Sequence, residues 1–178
     1  MSLFQPDRFF ARITSIDVRH DLLSAGLSCV LLDIDNTVRS RESGEVPRDV
    51  REWLAKARNA GVSFCLLSNN WHSDVHVFAQ ELDLPILAKA CKPLPFGYVA
   101  AMRKIGAAKD DTVVVGDQLL TDVLGAHLVG LKAFLVVPLA EVDLKHTLML
   151  RGLERGLMGS REPEPAPVPA CQAFVKED

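Results

Sequence analysis

The chain has 178 residues, of which 48% are hydrophobic and 24% charged, with a formal net charge of −3. That is enough for one domain with a core of its own, and the charge gives no general attraction for nucleic acid, so no nucleic-acid partner is expected. No apolar run approaches the roughly 20 residues that span a bilayer, and the opening MSLFQPDRFFARITSID is broken by charges, unlike a secretory signal, so a cytoplasmic location is expected.

Short, nearly continuous apolar runs at Leu27–Ile34, Val62–Leu67, Thr112–Val115 and Ala133–Val137, with a weaker one at Ile86–Ala88, have the length and character of parallel strands covered on both faces. Helical patterns separate them. After Pro47, a residue suited to a first helical turn, Val50, Trp53, Leu54 and Ala57 form one apolar face, and Gly61 ends the pattern. Val75, Phe78, Ala79 and Leu82 repeat that spacing, a third helix spans about Phe96 to Ile105, and a fourth spans about Leu119 to Leu128. The alternation predicts a three-layer Rossmann-like α/β sandwich on a five-stranded parallel sheet with right-handed crossovers. A last helix is expected over about Asp143 to Met158, weakened by Gly152 and Gly156. The expected division is a domain over 1–158 and a proline-rich disordered tail over 159–178.

Cys29, Cys65, Cys91 and Cys171 show no CxxC spacing and no zinc-like cluster, so they read as thiols in a reducing compartment. Cys91 adjoins Lys92, a cation that favours thiolate, but inert packing is the expectation. His72, His76 and His127 read as surface or packing residues, and Arg39 and Arg41 as solvated or as contacts to an anionic substrate.

Chemistry gathers where the strands end. The first leads into Asp33-Ile34-Asp35-Asn36-Thr37, the second into Ser68-Asn69-Asn70, the weak third is followed by Lys92, and the fourth leads into Gly116-Asp117 with Asp122 shortly after. On a parallel sheet these places share one edge, where ligands of such folds bind. Clustered carboxylates repel one another unless a cation neutralises them, and hard oxygen donors select magnesium. An acidic, cation-filled crevice with one lysine suits a phosphoryl group. Residues two apart at a strand end can flank one substrate, so of Asp33 and Asp35 one would attack phosphorus and the other would act as acid and base.

With these residues in order, the chain resembles the haloacid dehalogenase (HAD) superfamily of phosphohydrolases, subclass IIIA, and within it the YqeG family, related to mitochondrial phosphatidylglycerophosphate phosphatases. The matching stretches are FQPDRFF, LLDIDNTV, EWL…AGVSFCLLSNN, CKPLPFGY, GDQLLTDVLGA and LVVPL, covering about Phe4 to Arg155. The resemblance implies a phosphatase with Asp33 as nucleophile and magnesium ligand. It implies Asp35 as acid/base, with its carbonyl on the metal, and Thr37 as a support of the loop. Ser68 and the Asn69 backbone would hold phosphoryl oxygens, Lys92 would fix both the phosphoryl group and Asp33, and Asp117 would bind magnesium. Asp122 would hold a metal-bound water or the loop. His127-Leu128 stands where the family pattern has Asn-Arg before a glycine, which puts any substrate role of that arginine in doubt.

From Thr37 to Ser68 there is room only for a loop, a helix and a strand, and from Ser68 to Lys92 only for a helix and a weak strand. Neither gap holds a cap domain, so the crevice should be open. An open site suits a phosphate carried on something large, such as a lipid headgroup at a membrane surface. This makes phosphatidylglycerophosphate the first candidate substrate and a peripheral place at the inner membrane face the matching location. The rival reading is a catalytically idle domain that binds a protein or ribosomal partner; keeping both Asp33 and Asp35 argues against it.

Overall fold

The computed structural model describes residues 3–139 and 161–164. The expected helix over 143–158 and Cys171 lie outside them. The elements are β1 (Arg8–Phe10), β2 (Cys29–Leu32), α1 (Arg48–Asn59), β3 (Ser63–Leu67), α2 (Asp74–Glu81), β4 (Ile86–Leu87), α3 (Pro95–Ile105), β5 (Thr112–Gly116), α4 (Leu124–Leu128) and β6 (Lys132–Val136). All strand pairs are parallel, in the order β1-β6-β5-β2-β3-β4.

Strand alternation divides the core between the two faces of the sheet. Val30, Leu32, Phe64, Leu66, Val113 and Val115 pack with Val50, Trp53, Leu54 and Ala57 of α1 and Val75, Phe78 and Ala79 of α2. Leu31, Cys65, Leu67, Val114, Ala133 and Leu135 pack with Tyr98, Ala101 and Met102 of α3 and with Leu119, Val123 and Ala126. Strands apolar on both faces are what this three-layer arrangement requires. The Trp53 indole N–H donates to the Ile16 carbonyl at 2.8 Å, tying α1 to the short turns after β1.

Two details differ from the sequence reading. The sheet has six strands, not five: β1, three residues in a charged stretch, pairs with β6 at an edge. Its length gives no periodicity to detect, and polar clamps hold it. Asp7 Oδ2 accepts from the Ala133 N–H at 2.8 Å and lies 3.1 Å from His127 Nε2, while Arg8 pairs with Asp21 at 2.6 Å and with Glu164. Glu164 bridges to Phe10, and Arg161 donates to the Pro6 carbonyl, so the start of the expected disordered tail lies along β1. The fourth predicted helix opens as a π turn over Leu119–Val123 before becoming α4.

Candidate active site

β2 is central, with β5 and β3 at its sides, and the chain runs from β2 to β3 on one side and later returns to β5 on the other. That reversal opens a crevice beyond the strand ends. Asp33 leaves β2 there, its N–H donating to the Val115 carbonyl at 2.9 Å. The backbone then folds tightly. Val38 and Arg39 both donate to the Ile34 carbonyl, and Asn36 sits at φ +64°, a conformation that asparagine tolerates better than most residues. Asn36 Oδ1 accepts the Arg41 N–H at 3.1 Å. Thr37 is buried within this loop, and its hydroxyl has no hydrogen-bond partner among the described residues.

Lys92 is the centre of the site. Its buried ammonium donates to Asp33 Oδ1 at 2.5 Å and to Asp122 Oδ1 at 2.7 Å. Asp122 Oδ2 accepts the Gln118 N–H at 3.1 Å, so both its oxygens are engaged. Room for that carboxylate comes from Gly116: a Cβ there would stand 2.3 Å from Asp122 Cγ. Gly125 plays the same part for Tyr98, whose hydroxyl donates to the Thr121 carbonyl under the turn that carries Asp122. The sequence reading missed Tyr98 and Gly125; that Tyr98 is the only tyrosine in the chain is the single signal that could have found it.

Asp33, Asp117 and Asp122 each present an oxygen within 4.8 Å of the others. The side-chain cluster therefore contains Asp122; Asp35, whose backbone carbonyl the sequence reading put on the metal, adds no side-chain oxygen to it. The Asp35 carboxylate turns to Arg39 at 2.9 Å and Arg41 at 4.0 Å, and Arg39 also lies 3.6 Å from Asp74. The two arginines considered for contact with an anionic substrate are thus placed on Asp35. Asn69 differs too. Its side chain accepts the Lys92 N–H at 2.6 Å and donates to the Lys92 carbonyl at 3.0 Å, clamping the lysine's backbone. Ser68 is buried at the end of β3, and its hydroxyl oxygen accepts the Asn70 N–H at 3.1 Å. His127 is not in the site; it anchors the N-terminal segment through Leu3 and Asp7.

Burial pushes the Asp33 carboxyl up to about 6, with Asp122 adding to it and Lys92 pulling the other way. For Lys92, burial alone would disfavour the ammonium, but Asp122 and Asp33 outweigh it, and the pKa rises. Burial, then Asp122, drives the Tyr98 hydroxyl upward, keeping it a donor. Three carboxylates cluster around one buried ammonium, and this excess of negative charge on hard oxygen donors fits a divalent cation.

A profile of the HAD-hydrolase-like family matches residues 90–137, the stretch from the Lys92 loop to β6. Probable phosphatase YqeG of Bacillus subtilis (strain 168) is 33% identical over 157 residues, covering 88% of this chain and 91% of that protein. Among solved structures, the cobalt-bound deoxy-D-mannose-octulosonate 8-phosphate phosphatase of Haemophilus influenzae superposes with a TM-score of 0.53 at 11% identity, over 75% of this chain and 88% of that one. A protein from Corynebacterium glutamicum superposes with a TM-score of 0.52 at 21% identity, over 78% of this chain and 99% of that one. These two likenesses show that the fold is shared with known structures.

Proposed function

Because the chain belongs to the YqeG family of HAD-like phosphatases, we propose that it hydrolyses phosphomonoesters through an aspartyl-phosphate on Asp33, with magnesium as cofactor. The observation that carries this reading is the Lys92 ammonium held between Asp33 and Asp122 within the carboxylate cluster.

Asp33 and Asp117 would hold the magnesium ion, with the Asp35 carbonyl in support and Asp122 beside them; the ion would neutralise phosphoryl oxygens as charge develops. Lys92 positions the Asp33 carboxylate and offers positive charge to the incoming phosphoryl group. Ser68 still has its hydroxyl proton to donate to a phosphoryl oxygen. An Asp33 oxygen attacks phosphorus, the bond from phosphorus to the leaving oxygen breaks, and Asp35 supplies the proton that oxygen needs. Asp35 then takes a proton from water. The resulting nucleophile attacks phosphorus, the bond to Asp33 breaks, and inorganic phosphate leaves with both carboxyl groups restored. Arg39 orients Asp35 for this exchange.

The chemistry is tested by release of phosphate from an aryl phosphate. Turnover should require magnesium, stop with a chelator, and fall to background in Asp33→Asn with the fold intact. Substantial turnover in that variant would overturn the nucleophile assignment.

The substrate class we propose is a phosphorylated lipid headgroup, with phosphatidylglycerophosphate the first to try. Support comes from the spacing of the site. Only a loop, α1 and β3 separate Thr37 from Ser68, and only α2 and β4 separate Ser68 from Lys92, so no inserted cap covers the crevice from either place. Catalytic efficiency on phosphatidylglycerophosphate in vesicles should exceed that on glycerol phosphate and on sugar phosphates. A preference for a soluble sugar phosphate would reverse the assignment.

A further inference from the structure

Large apolar side chains scattered singly over a surface are ordinary; several beside a catalytic mouth are not. Among the described residues, the three most exposed large aromatic or leucine side chains are Phe96 (78%), Trp71 (68%) and Leu94 (52%). Trp71 and Leu94 lie in two loops that are bonded to each other, and Phe96 lies in the first turn of α3, directly after the second loop. The Lys89 N–H donates to the Asn70 carbonyl, and the Asn69 side chain grips the Lys92 backbone from both sides. The same Lys92 reaches Asp33. The apolar residues thus stand on the loops that also build the site and on the helix turn that follows them, at the end of the sheet where Asp33 emerges.

The charge pattern of these loops narrows what they can face. Residues 69–73 and 88–96 contain no aspartate or glutamate, while Lys89 places its ammonium 5.0 Å from the centre of the Trp71 ring. The nearest acid in sequence, Asp74, pairs with Arg39. Tryptophan beside lysine, with leucine and phenylalanine outermost, matches a bilayer interface, where indole rings settle at headgroup level and lysine meets anionic phosphate.

We propose that Trp71, Leu94 and Phe96, with Lys89, form a docking rim that seats the catalytic crevice on an anionic lipid surface. This rests on the lipid-headgroup reading for its purpose, but the contact itself does not depend on turnover. The rim would insert shallowly, as an interfacial apolar face does, and the mouth beside Lys92 would then open onto headgroups.

The test uses the full chain and its Asp33→Asn variant with phosphatidylglycerol–phosphatidylcholine vesicles and with pure phosphatidylcholine vesicles. Trp53 is buried and Trp71 exposed, so a blue shift of tryptophan emission on binding reports Trp71, and Trp71→Phe should abolish it. Sedimentation should show binding to the anionic vesicles that weakens with salt. Leu94→Ser/Phe96→Ser should lower it about tenfold or more while aryl phosphate hydrolysis is unchanged. Lys89→Ala should lose part of the anionic preference. No partition to anionic vesicles, equal partition of the Leu94/Phe96 variant, or self-association through the rim with no lipid binding would each overturn the proposal. Binding without phosphatidylglycerophosphate hydrolysis would leave the rim standing and remove the substrate reading; hydrolysis of that lipid without rim-dependent binding would do the reverse.

Discussion

Replacing Gly116 by alanine should damage the site through one steric contact. The backbone of Gly116 lies outside the left-handed region, so alanine meets no conformational penalty there. Its Cβ, however, would stand 2.3 Å from Asp122 Cγ and Oδ2 and 2.7 Å from Asp122 Cβ. Carbon contacts settle at about 3.5 Å, so the aspartate must retreat by about 1 Å. It is 2% exposed and held through both oxygens, to Lys92 and to the Gln118 N–H, so any retreat breaks or stretches these bonds. A broken buried ion pair costs about 3–5 kcal/mol, and a misplacement of about 1 Å at a reacting centre costs about 100-fold in rate. Gly116→Ala should therefore lose about 3 kcal/mol in urea unfolding and about two orders of magnitude in kcat on an aryl phosphate. The decisive arm is a double-mutant cycle. With Asp122→Gly already present every one of these contacts is gone, Cβ included, and Gly116→Ala should then cost under about 0.5 kcal/mol. A Gly116→Ala protein with wild-type stability and kcat would refute the reasoning, as would equal damage with and without Asp122.

Asp35→Asn should slow esters with poor leaving groups far more than aryl esters, which depart without a proton; equal losses would remove Asp35 as general acid. Asn69→Ala should lower stability by about 1–2 kcal/mol and lower kcat, because two bonds to the Lys92 backbone disappear; a higher KM with stability intact would instead place Asn69 on the substrate. Acid stability should depend on Asp21 and Glu164. Both are held below their ordinary values of 3.8 and 4.5: for Asp21 burial opposes the shift but the bonds from His20 and Arg8 outweigh it, and for Glu164 the Arg8 bond leads. Their contribution is present above those values and fades as pH falls through the lowered ones. Asp21→Asn should flatten the melting temperature against pH below about pH 4, and an unchanged acid slope would contradict it.

The location of the site was legible because topology dictates it. Once the runs ending at Asp33, Ser68 and Gly116 are read as neighbouring parallel strands, the residues that follow them must share one edge, whatever their side chains then do. The order β5-β2-β3 meets that condition. The core was legible for the same reason: apolar strands and one-faced helices have periods that sequence displays directly. β1 was not, because three residues held by Asp7, Arg8 and His127 carry no period.

Which side chains touch inside the crevice depends on something else, the loop backbone. Lys89, Cys91 and Asn36 all take positive φ, and such turns redirect the chain in ways that no spacing rule anticipates. The turn at Asn36 ends with Arg39 bonded to Asp35, an i,i+4 pair formed outside any helix. The turns around Lys89 and Cys91 bring the Lys92 backbone onto the Asn69 amide, so a residue whose backbone was expected to serve the phosphoryl group also supports, through its side chain, the lysine proposed to serve it. They also leave Leu94 and Phe96 facing solvent, where a period-based reading of α3 would simply assign Phe96 to a helix. The same loop geometry that hid these contacts from the sequence therefore makes both the Lys92 clamp and the apolar rim, so a substitution that relaxes it should affect catalysis and lipid docking together, whereas Leu94→Ser/Phe96→Ser should affect docking alone.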